Sequence, residues 1–467
     1  MLSEGIKIHL SHGCKRNLKW RNVVCIMYSR EIEALLQKKG IVPGDTVRVV
    51  SNRKSFEGVL LPRPEFGDQD ALVIKLKNGY NIGLELKRGS KIERLQREKE
   101  SFAFPRVKLE KKEGLPDVAI VSTGGTIESK VDYVTGAVHM LVEPEEMLAQ
   151  VPEILDVANF NVVSPMRIAS EYMTYKNRQE IARAVAKALS DSHGVMVTHG
   201  TDTMHYTAAA LSFMLEGVNG PVVLTGAQRS VDRGSSDAFM NLLCSAHLAA
   251  QGNVAEVGIC MHANASDSYC NFMRGTKVRK LHTTRRDAFR SVNGRPIARV
   301  DTHGNIEYMD ESRKRRSEGG RMRVVPGYEP RVALLKFYPN SDPEIIDFYI
   351  DRGYKGIIIE GTGMGHVAVA PTDGKLSWLG HIKRAVESGM VVGMTSQCLN
   401  GRVNANVYRN LRLISGTGAV YCEDMLPEVA LVKLGWLLGN HKRTEAANLL
   451  AKNIAGEITE RTEIDWD

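Results

Sequence analysis

The chain lacks the paired cysteines that would staple it or hold a metal. Its seven cysteines, Cys14, Cys25, Cys244, Cys260, Cys270, Cys398 and Cys422, are odd in number, widely spread and free of any C-x-x-C pair. That spacing argues for reduced thiols in a cytoplasm, and against a disulfide frame or a zinc ribbon. No run approaches the ~18 apolar residues a membrane-spanning helix needs. The N-terminus carries scattered Lys and Arg but no continuous apolar h-region, so it does not read as a secretory signal. Two catalytic plans are missing their nucleophile or cradle: there is no G-x-S-x-G elbow and no G-x-x-x-x-G-K-[ST] phosphate loop. His199, His205, His262 and His282 have no metal-ligand spacing and read as hydrogen-bonded structural histidines. Glu360-Gly-Thr-Gly-Met-Gly-His366 follows a strand, but His366 stands where a dinucleotide loop needs its final glycine.

What is present fits an ordinary globular protein. With 467 residues, 43% of them hydrophobic and 25% charged, the chain calls for two or three domains. The net charge of +8 is uneven. Residues 1–113 hold 24 Lys and Arg against 14 Asp and Glu, a surplus of +10, which leaves the remainder at −2. The basic quarter is either a solvated face or a surface that meets a polyanion such as RNA.

Periodicity divides the chain. Residues 1–40 form an N-terminal extension and a helix, Tyr28 to Lys39, with Ile32, Leu35 and Leu36 at helical spacing and Gly40 as its stop. The true start is expected at Met1 or near Met27. Residues 41–95 switch to strand period as a small all-β, barrel-like module, with strands at 46–50, 56–61, 71–76 and 80–86 and a hairpin signal at Asn78-Gly79. Residues 96–116 read as a linker. From Asp117 strands alternate with helices, which predicts two α/β domains with parallel sheets, 117–325 and 326–455, followed by a tail, 456–467. In the first domain strands are expected near 118–122, 194–199, 221–225 and 255–261, and helices near 143–150, 177–190, 204–216 and 236–251. In the second, strands are expected near 332–336, 356–360, 391–395 and 413–415, and helices near 343–352, 376–388 and 427–438. The charged stretch from Glu311 to Arg323 is expected as an exposed interdomain loop.

Two turns carry the chemistry. Asp117-Val-Ala-Ile-Val-Ser-Thr-Gly-Gly-Thr-Ile-Glu128 is a buried strand followed by hydroxyls and glycines, and Val195-Met-Val-Thr-His-Gly-Thr-Asp-Thr-Met204 repeats the arrangement with a carboxylate. Ligands bind at such C-terminal strand ends in open α/β sheets, and two neighbouring turns can share one crevice. Thr123 and Thr201 are candidate nucleophiles, each needing a base or cation to become reactive. Asp202 can hold a substrate α-ammonium. Gly124, Gly125 and Gly200 let backbone N–H groups approach an oxyanion, each such donor contributing roughly 3 kcal/mol. A lone Thr-Gly-Gly-Thr would read as a tight turn or a phosphate cradle; two hydroxyl-rich turns, one with Asp, favour catalysis.

Thr123-Gly-Gly-Thr-Ile127 and His199-Gly-Thr-Asp-Thr-Met204 resemble the two signatures of the bacterial-type L-asparaginase/glutaminase family, and the resemblance runs from about Asp117 to the C-terminus. Within it, several stretches look like the glutaminase subunits of archaeal tRNA-dependent amidotransferases: Asn78-Gly-Tyr-Asn-Ile-Gly83, Met204-His-Tyr-Thr207, Thr225-Gly-Ala-Gln-Arg-Ser230, the run from Lys277 to Asn293, Thr395 to Asn404 and Asp424 to Ala430. The small β module also fits those subunits. The resemblance implies that Thr123 attacks a side-chain amide carbon, that Tyr133 on a mobile lid polarises it, and that Thr201, Asp202 and Lys280 form a second polar triad, with Lys277 the rival for the lysine position. It implies that Ser170 and Glu171 grip the substrate's α-carboxylate and α-ammonium, although ordinary asparaginases usually carry Gln at the second position. It further implies hydrolysis of L-glutamine to glutamate and ammonia. The ammonia would go to a partner E subunit that uses ATP and Mg²⁺ to amidate glutamate on tRNA(Gln), in a cytoplasmic homodimer within a heterotetramer. No cofactor or metal is expected in this chain. A free cytoplasmic L-asparaginase and a non-catalytic RNA-binding scaffold are the alternatives. Glutamine and asparagine differ by one methylene, about 1–3 kcal/mol in a pocket, so the substrate choice rests on the resemblance alone.

Overall fold

The computed structural model describes residues 28–51, 54–61, 68–76, 81–86, 90–96, 109–131, 138–140, 144–149, 151–230, 236–316 and 322–461. They belong to two compact units. The N-terminal unit opens with α1 (Arg30–Lys39), which buries Ile32 and Leu36 and stops at Gly40. There φ is 61°, a left-handed conformation glycine adopts without steric cost, and the Gly40 N–H turns back to the Gln37 and Leu36 carbonyls. Five strands follow: β1 (Thr46–Ser51), β2 (Lys54–Leu60), β3 (Ala71–Leu76), β4 (Asn81–Glu85) and β5 (Lys91–Gln96). They form an antiparallel sheet in the order β4-β3-β2-β1-β5. Val47 and Val49 of β1 point into a core with Tyr28, Leu60, Leu72 and Ile74. Between them Arg48 points outward to Glu57 and Glu93 on the two flanking strands, at 2.6 and 2.7 Å. β5 was not expected from the sequence. Its Lys-Ile-Glu-Arg-Leu-Gln run buries only Ile92, so it carries almost no apolar alternation.

Among the described residues the second unit contains two main sheets, of eight and four strands, and three two-stranded pairings. β6 (Asp117–Ser122) leads into a short hairpin, β7 (Ser129–Val131) and β8 (Val138–Met140), then α2 (Pro144–Leu148) and β9 (Asn159–Val163). Next come α3 (Tyr175–Ser190), β10 (Gly194–Thr198), α4 (Met204–Met214), β11 (Leu215–Glu216), β12 (Val222–Thr225), α5 (Ala238–Gln251) and β13 (Val257–His262). The segment closes with β14 (Cys270–Arg274), β15 (Val278–Lys280), β16 (Phe289–Ser291), β17 (Ala298–Val300) and β18 (Ile306–Tyr308). The large sheet runs β18-β17-β14-β13-β12-β10-β6-β9. It is parallel from β9 through β13 and antiparallel from β13 to β18. The parallel half matches the α/β reading. The β13–β14 and β17–β18 connections, residues 263–269 and 301–305, are too short for the dozen-residue crossover a parallel pair needs, whereas β14 reaches its antiparallel partner β17 through the β15–β16 hairpin. Every residue of β10 and β12 is buried, as expected for strands covered by helices on both faces.

The smaller sheet follows β19 (Arg323–Val324), which pairs with β11. It comprises β20 (Val332–Lys336), β21 (Gly356–Gly361), β22 (Val391–Ser396) and β23 (Val420–Tyr421), all parallel and in sequence order. Its helices are α6 (Glu344–Asp351), α7 (Trp378–Glu387), α8 (Arg409–Ser415), α9 (Pro427–Asn440) and α10 (Arg443–Leu450). The strand expected near 413–415 is instead the end of α8, whose buried Leu411 and Ile414 have helical spacing. The fourth strand lies at Val420–Tyr421. α4 and α9 pack together, with Phe213 stacked on Trp436 at 5.7 Å, so one apolar cluster runs from the large sheet into the smaller one.

The Glu311–Arg323 stretch is less free than its composition suggests. The Lys314 carbonyl accepts the Ala255 N–H at 2.8 Å, the Lys314 N–H donates to Glu256 at 2.8 Å, and the Arg313 guanidinium lies 3.9 Å from the Tyr308 ring centre. Residues 317–321 lie outside the described residues. No helix among the described residues is long and apolar enough to cross a membrane.

Candidate active site

The strand order fixes where a site can form. From β6 the chain first steps outward to β9, then returns across β6 to β10 on its other side. The gap between the C-terminal ends of β6 and β10 is therefore a topological switch point, where the flanking connections diverge and leave a crevice. In the parallel register Ser122 pairs with Thr198, so the residues following each strand, Thr123 and His199, leave the sheet side by side.

The two turns touch. Gly124 and Gly125 have φ of 97° and 95°, which a side chain would strain, and a Cβ on Gly125 would lie 2.6 Å from the Gly200 Cα. Thr123 is fully buried, and its Oγ1 donates to the Thr198 carbonyl at 2.7 Å. The Thr123 N–H reaches the same oxygen at 3.2 Å. Segment 167–170 crosses over the first turn: the Ile168 N–H donates to the Thr123 carbonyl at 3.2 Å. Ser170 is buried against Gly200, where an added Cβ would meet the Ser170 Oγ at 2.9 Å. The Thr203 Oγ1 donates to the Ser170 carbonyl at 2.7 Å.

Lys280, at the end of β15, reaches over the second turn. Its Nζ donates to the Thr201 Oγ1 at 2.9 Å and to the Asp202 Oδ1 at 2.8 Å. The lysine side chain is 10% exposed and the aspartate 71%, so the pair opens to solvent on the carboxylate side. Lys277 is committed elsewhere. Its Nζ lies 2.6 Å from the Asp424 Oδ2, with the two side chains 3% and 1% exposed, and burial lowers its pKa. Of the two lysines named from the sequence, Lys280 is the one beside Thr201 and Asp202.

The two touching turns and the segments packed on them thus gather Thr123, Gly124, Gly125, Gly200, Thr201, Asp202, Lys280 and Ser170. Glu171 follows Ser170 on the same short 3₁₀ turn but is exposed. Tyr133 lies outside the described residues.

Two histidines are buried at the second turn and the helix that follows it. His199 is fully buried, its Nδ1 is 2.7 Å from the Gly200 carbonyl, and burial holds its pKa down at about 4. His205, in the first turn of α4, is held at about 3 by burial, then by the positive charges of Arg279, Arg178 and Lys280. Both rings are neutral at physiological pH.

Sequence reading passed over two groups that support the turns. The Asp237 carboxylate, fully buried at the start of α5, accepts the Gln228 and Arg229 N–H groups and the Asn241 amide. Asn241 also donates to the Gly226 carbonyl at 2.9 Å and accepts the His262 N–H at 3.0 Å. Gly226 packs on the second turn, where a Cβ would stand 3.1 Å from the Thr201 Cγ2. The other group is Glu128, which bonds Ser122 and Thr198. The only sequence signal for either was a carboxylate close to a motif, which is indistinguishable from a solvated residue.

Residues 117–314 match the family model "Asparaginase, N-terminal", residues 331–449 match "Glutaminase/Asparaginase C-terminal domain", and residues 41–95 match "GatD N-terminal domain". The chain is 49% identical over 444 residues to the D subunit of glutamyl-tRNA(Gln) amidotransferase from Thermococcus kodakarensis, covering 93% of this chain and 99% of that one. It is 48% identical over 441 residues to the same-named protein of Pyrococcus furiosus, covering 92% and 98%. Among solved structures, the thermostable L-asparaginase from Thermococcus kodakarensis superposes with a TM-score of 0.66 at 29% identity, over 74% of this chain and 100% of that one. L-asparaginase I from Vibrio cholerae gives 0.64 at 31% identity with the same coverage.

Proposed function

The chain belongs to the family of asparaginase-like D subunits of glutamyl-tRNA(Gln) amidotransferases, and from that premise we propose that it hydrolyses L-glutamine through an acyl-threonine and supplies the ammonia to a partner subunit. The observation that carries the reading is the contact between the Thr123 turn and the turn that holds Thr201 and Asp202, to which Lys280 is hydrogen-bonded.

Thr123 Oγ1 attacks the side-chain amide carbon, and the amide oxygen becomes an oxyanion. The backbone N–H groups of Gly125 and Gly200 are its donors, in a buried site where such bonds are strong, while the Gly124 N–H is turned to Glu128. The hydroxyl proton goes to the leaving nitrogen, which departs as ammonia and leaves a Thr123 ester. Water then adds to the ester, glutamate leaves, and Thr123 regains its proton. Lys280, within hydrogen-bond reach of Thr201, is the group positioned to pass protons through that hydroxyl. Asp202 and Ser170 take the α-ammonium and α-carboxylate, with Glu171 beside them, and Tyr133 is the residue the family resemblance gives for polarising Thr123.

The partner is the E subunit, which uses ATP and Mg²⁺ to activate glutamate carried on tRNA(Gln). The working assembly is a homodimer of this chain within a cytoplasmic heterotetramer. Glutaminase activity of the full chain, measured with and without the E subunit and glutamate-charged tRNA(Gln), tests this directly. Stimulation by both is expected. Efficient turnover of asparagine by the chain alone, indifferent to either addition, would favour a free L-asparaginase.

A further inference from the structure

Glu128 is a buried carboxylate that the proposed reaction does not use. It closes the 3₁₀ turn Thr126–Glu128 directly after Gly125 and is 2% exposed. Its Oε2 accepts the Ser122 hydroxyl at 2.9 Å, and its Oε1 accepts the Thr198 hydroxyl. The Gly124 N–H also points at the carboxylate, and Arg167, on the segment crossing the turn, contributes positive potential. From the position just after β9, the Ser164 Oγ donates to the Ser122 hydroxyl oxygen at 3.5 Å.

These contacts join three pieces of backbone. Ser122 ends β6, Thr198 ends β10, and Gly124 belongs to the turn that carries Thr123. Thr198 is the pivotal partner, since its carbonyl holds both the hydroxyl and the N–H of Thr123. Fixing the Thr198 side chain therefore fixes the acceptor that aims Thr123. Leaving a carboxylate buried among hydroxyls is a costly way merely to tie two strands, because a neutral side chain of the same size avoids the desolvation.

We propose that Glu128 is a positioning residue for Thr123, and that the alignment it imposes requires its ionised form. This rests on the reading of Thr123 as nucleophile. An ionised carboxylate accepts from Ser122, Thr198 and Gly124 at once. Once protonated, it must donate through its own O–H, which forces one hydroxyl to turn around and loosens the clamp. Burial raises the Glu128 pKa, against the opposing pull of Thr198, Ser122, Arg167 and Gly124, so this protonation comes at a higher pH than for an exposed glutamate.

The test is glutamine hydrolysis by the full chain assembled with its partner subunit and charged tRNA, comparing wild type, Glu128→Gln and Thr198→Val across pH. Glu128→Gln is expected to lower kcat at least 10-fold with KM within 3-fold of wild type. It should also abolish the acid limb of the kcat profile and leave the thermal midpoint no lower than wild type, since a buried charge has become neutral. Thr198→Val, which keeps the carbonyl and removes the hydroxyl, should lower kcat in the same sense. Wild-type kcat and an unchanged acid limb in Glu128→Gln would overturn the proposal, as would a kcat loss that merely follows loss of folded protein. Thr123→Ala separates the two ideas: full activity there defeats the nucleophile reading as well, whereas wild-type behaviour confined to Glu128→Gln defeats the role of Glu128 alone.

Discussion

Lys277 and Lys280 sit three residues apart and have different surroundings. Lys280 faces Thr201 and Asp202, whereas Lys277 is locked to Asp424, which also accepts the Thr459 hydroxyl. Lys280→Met is expected to cut kcat by about 10²-fold or more, the usual scale for losing a proton-transfer group, with little change in urea midpoint. Lys277→Met leaves a buried carboxylate unpaired and should cost about 3–5 kcal/mol of stability, read from urea unfolding. The opposite pattern would mean the two roles are exchanged. His199 and His205 give a pH signature. Their folded pKa values, about 4 and about 3, lie below the unfolded value of 6.5, so the unfolded chain takes up protons that the folded chain refuses. Their contribution is present above about pH 6.5 and fades as pH falls towards the folded values. Stability measured from pH 7 down to 4 should decline, and decline less steeply in His205→Gln.

At the scale of elements, the motif-bearing turns were legible because they combine a buried strand with residues that only a functional or tightly bent turn requires. Thr123, Gly124, Gly125, Gly200, Thr201 and Asp202 could be named for that reason. Ser170 and Lys280 could be placed only by resemblance, since no local pattern distinguishes them from other polar residues. The strands β14 to β18 were not legible, being short and settled by long-range pairing more than by periodicity. Asn241 falls in the helix expected near 236–251 with nothing in the sequence to single it out, yet it links α5, the Gly226 loop and β13. Asn241→Leu removes one donor from the buried Asp237 carboxylate and the acceptor of the buried His262 N–H, and should destabilise by roughly 2–3 kcal/mol. A urea midpoint equal to wild type would show that this junction is not needed.

Across the whole second unit, the C-terminal segment ties both sheets together. The Thr276 hydroxyl donates to the Ala455 carbonyl at 3.1 Å, and the Arg402 Nη2 donates to the Thr459 carbonyl at 2.9 Å. Lys433 and Glu457 form an ion pair at 2.6 Å with both side chains 0% exposed. Glu457 also accepts the Ile454 and Ala455 N–H groups, and Lys433 donates to the Leu450 carbonyl. The sequence reading treated 456–467 as a tail, because a Lys and a Glu 24 positions apart carry no sign that they meet. Glu457→Ala strands a buried ammonium and is expected to lower stability by about 3–5 kcal/mol. A thermal midpoint unchanged from wild type would count against this segment as a structural tie.

The account turns on Thr123 as the atom that captures the amide carbon. The direct measurement is mass spectrometry of the assembled protein after reaction with a glutamine-derived diazoketone, which alkylates the attacking nucleophile. A single covalent adduct on the peptide containing Thr123, absent in Thr123→Ala and suppressed by excess glutamine, is the predicted result. Complete inactivation with the adduct on any other residue would contradict it.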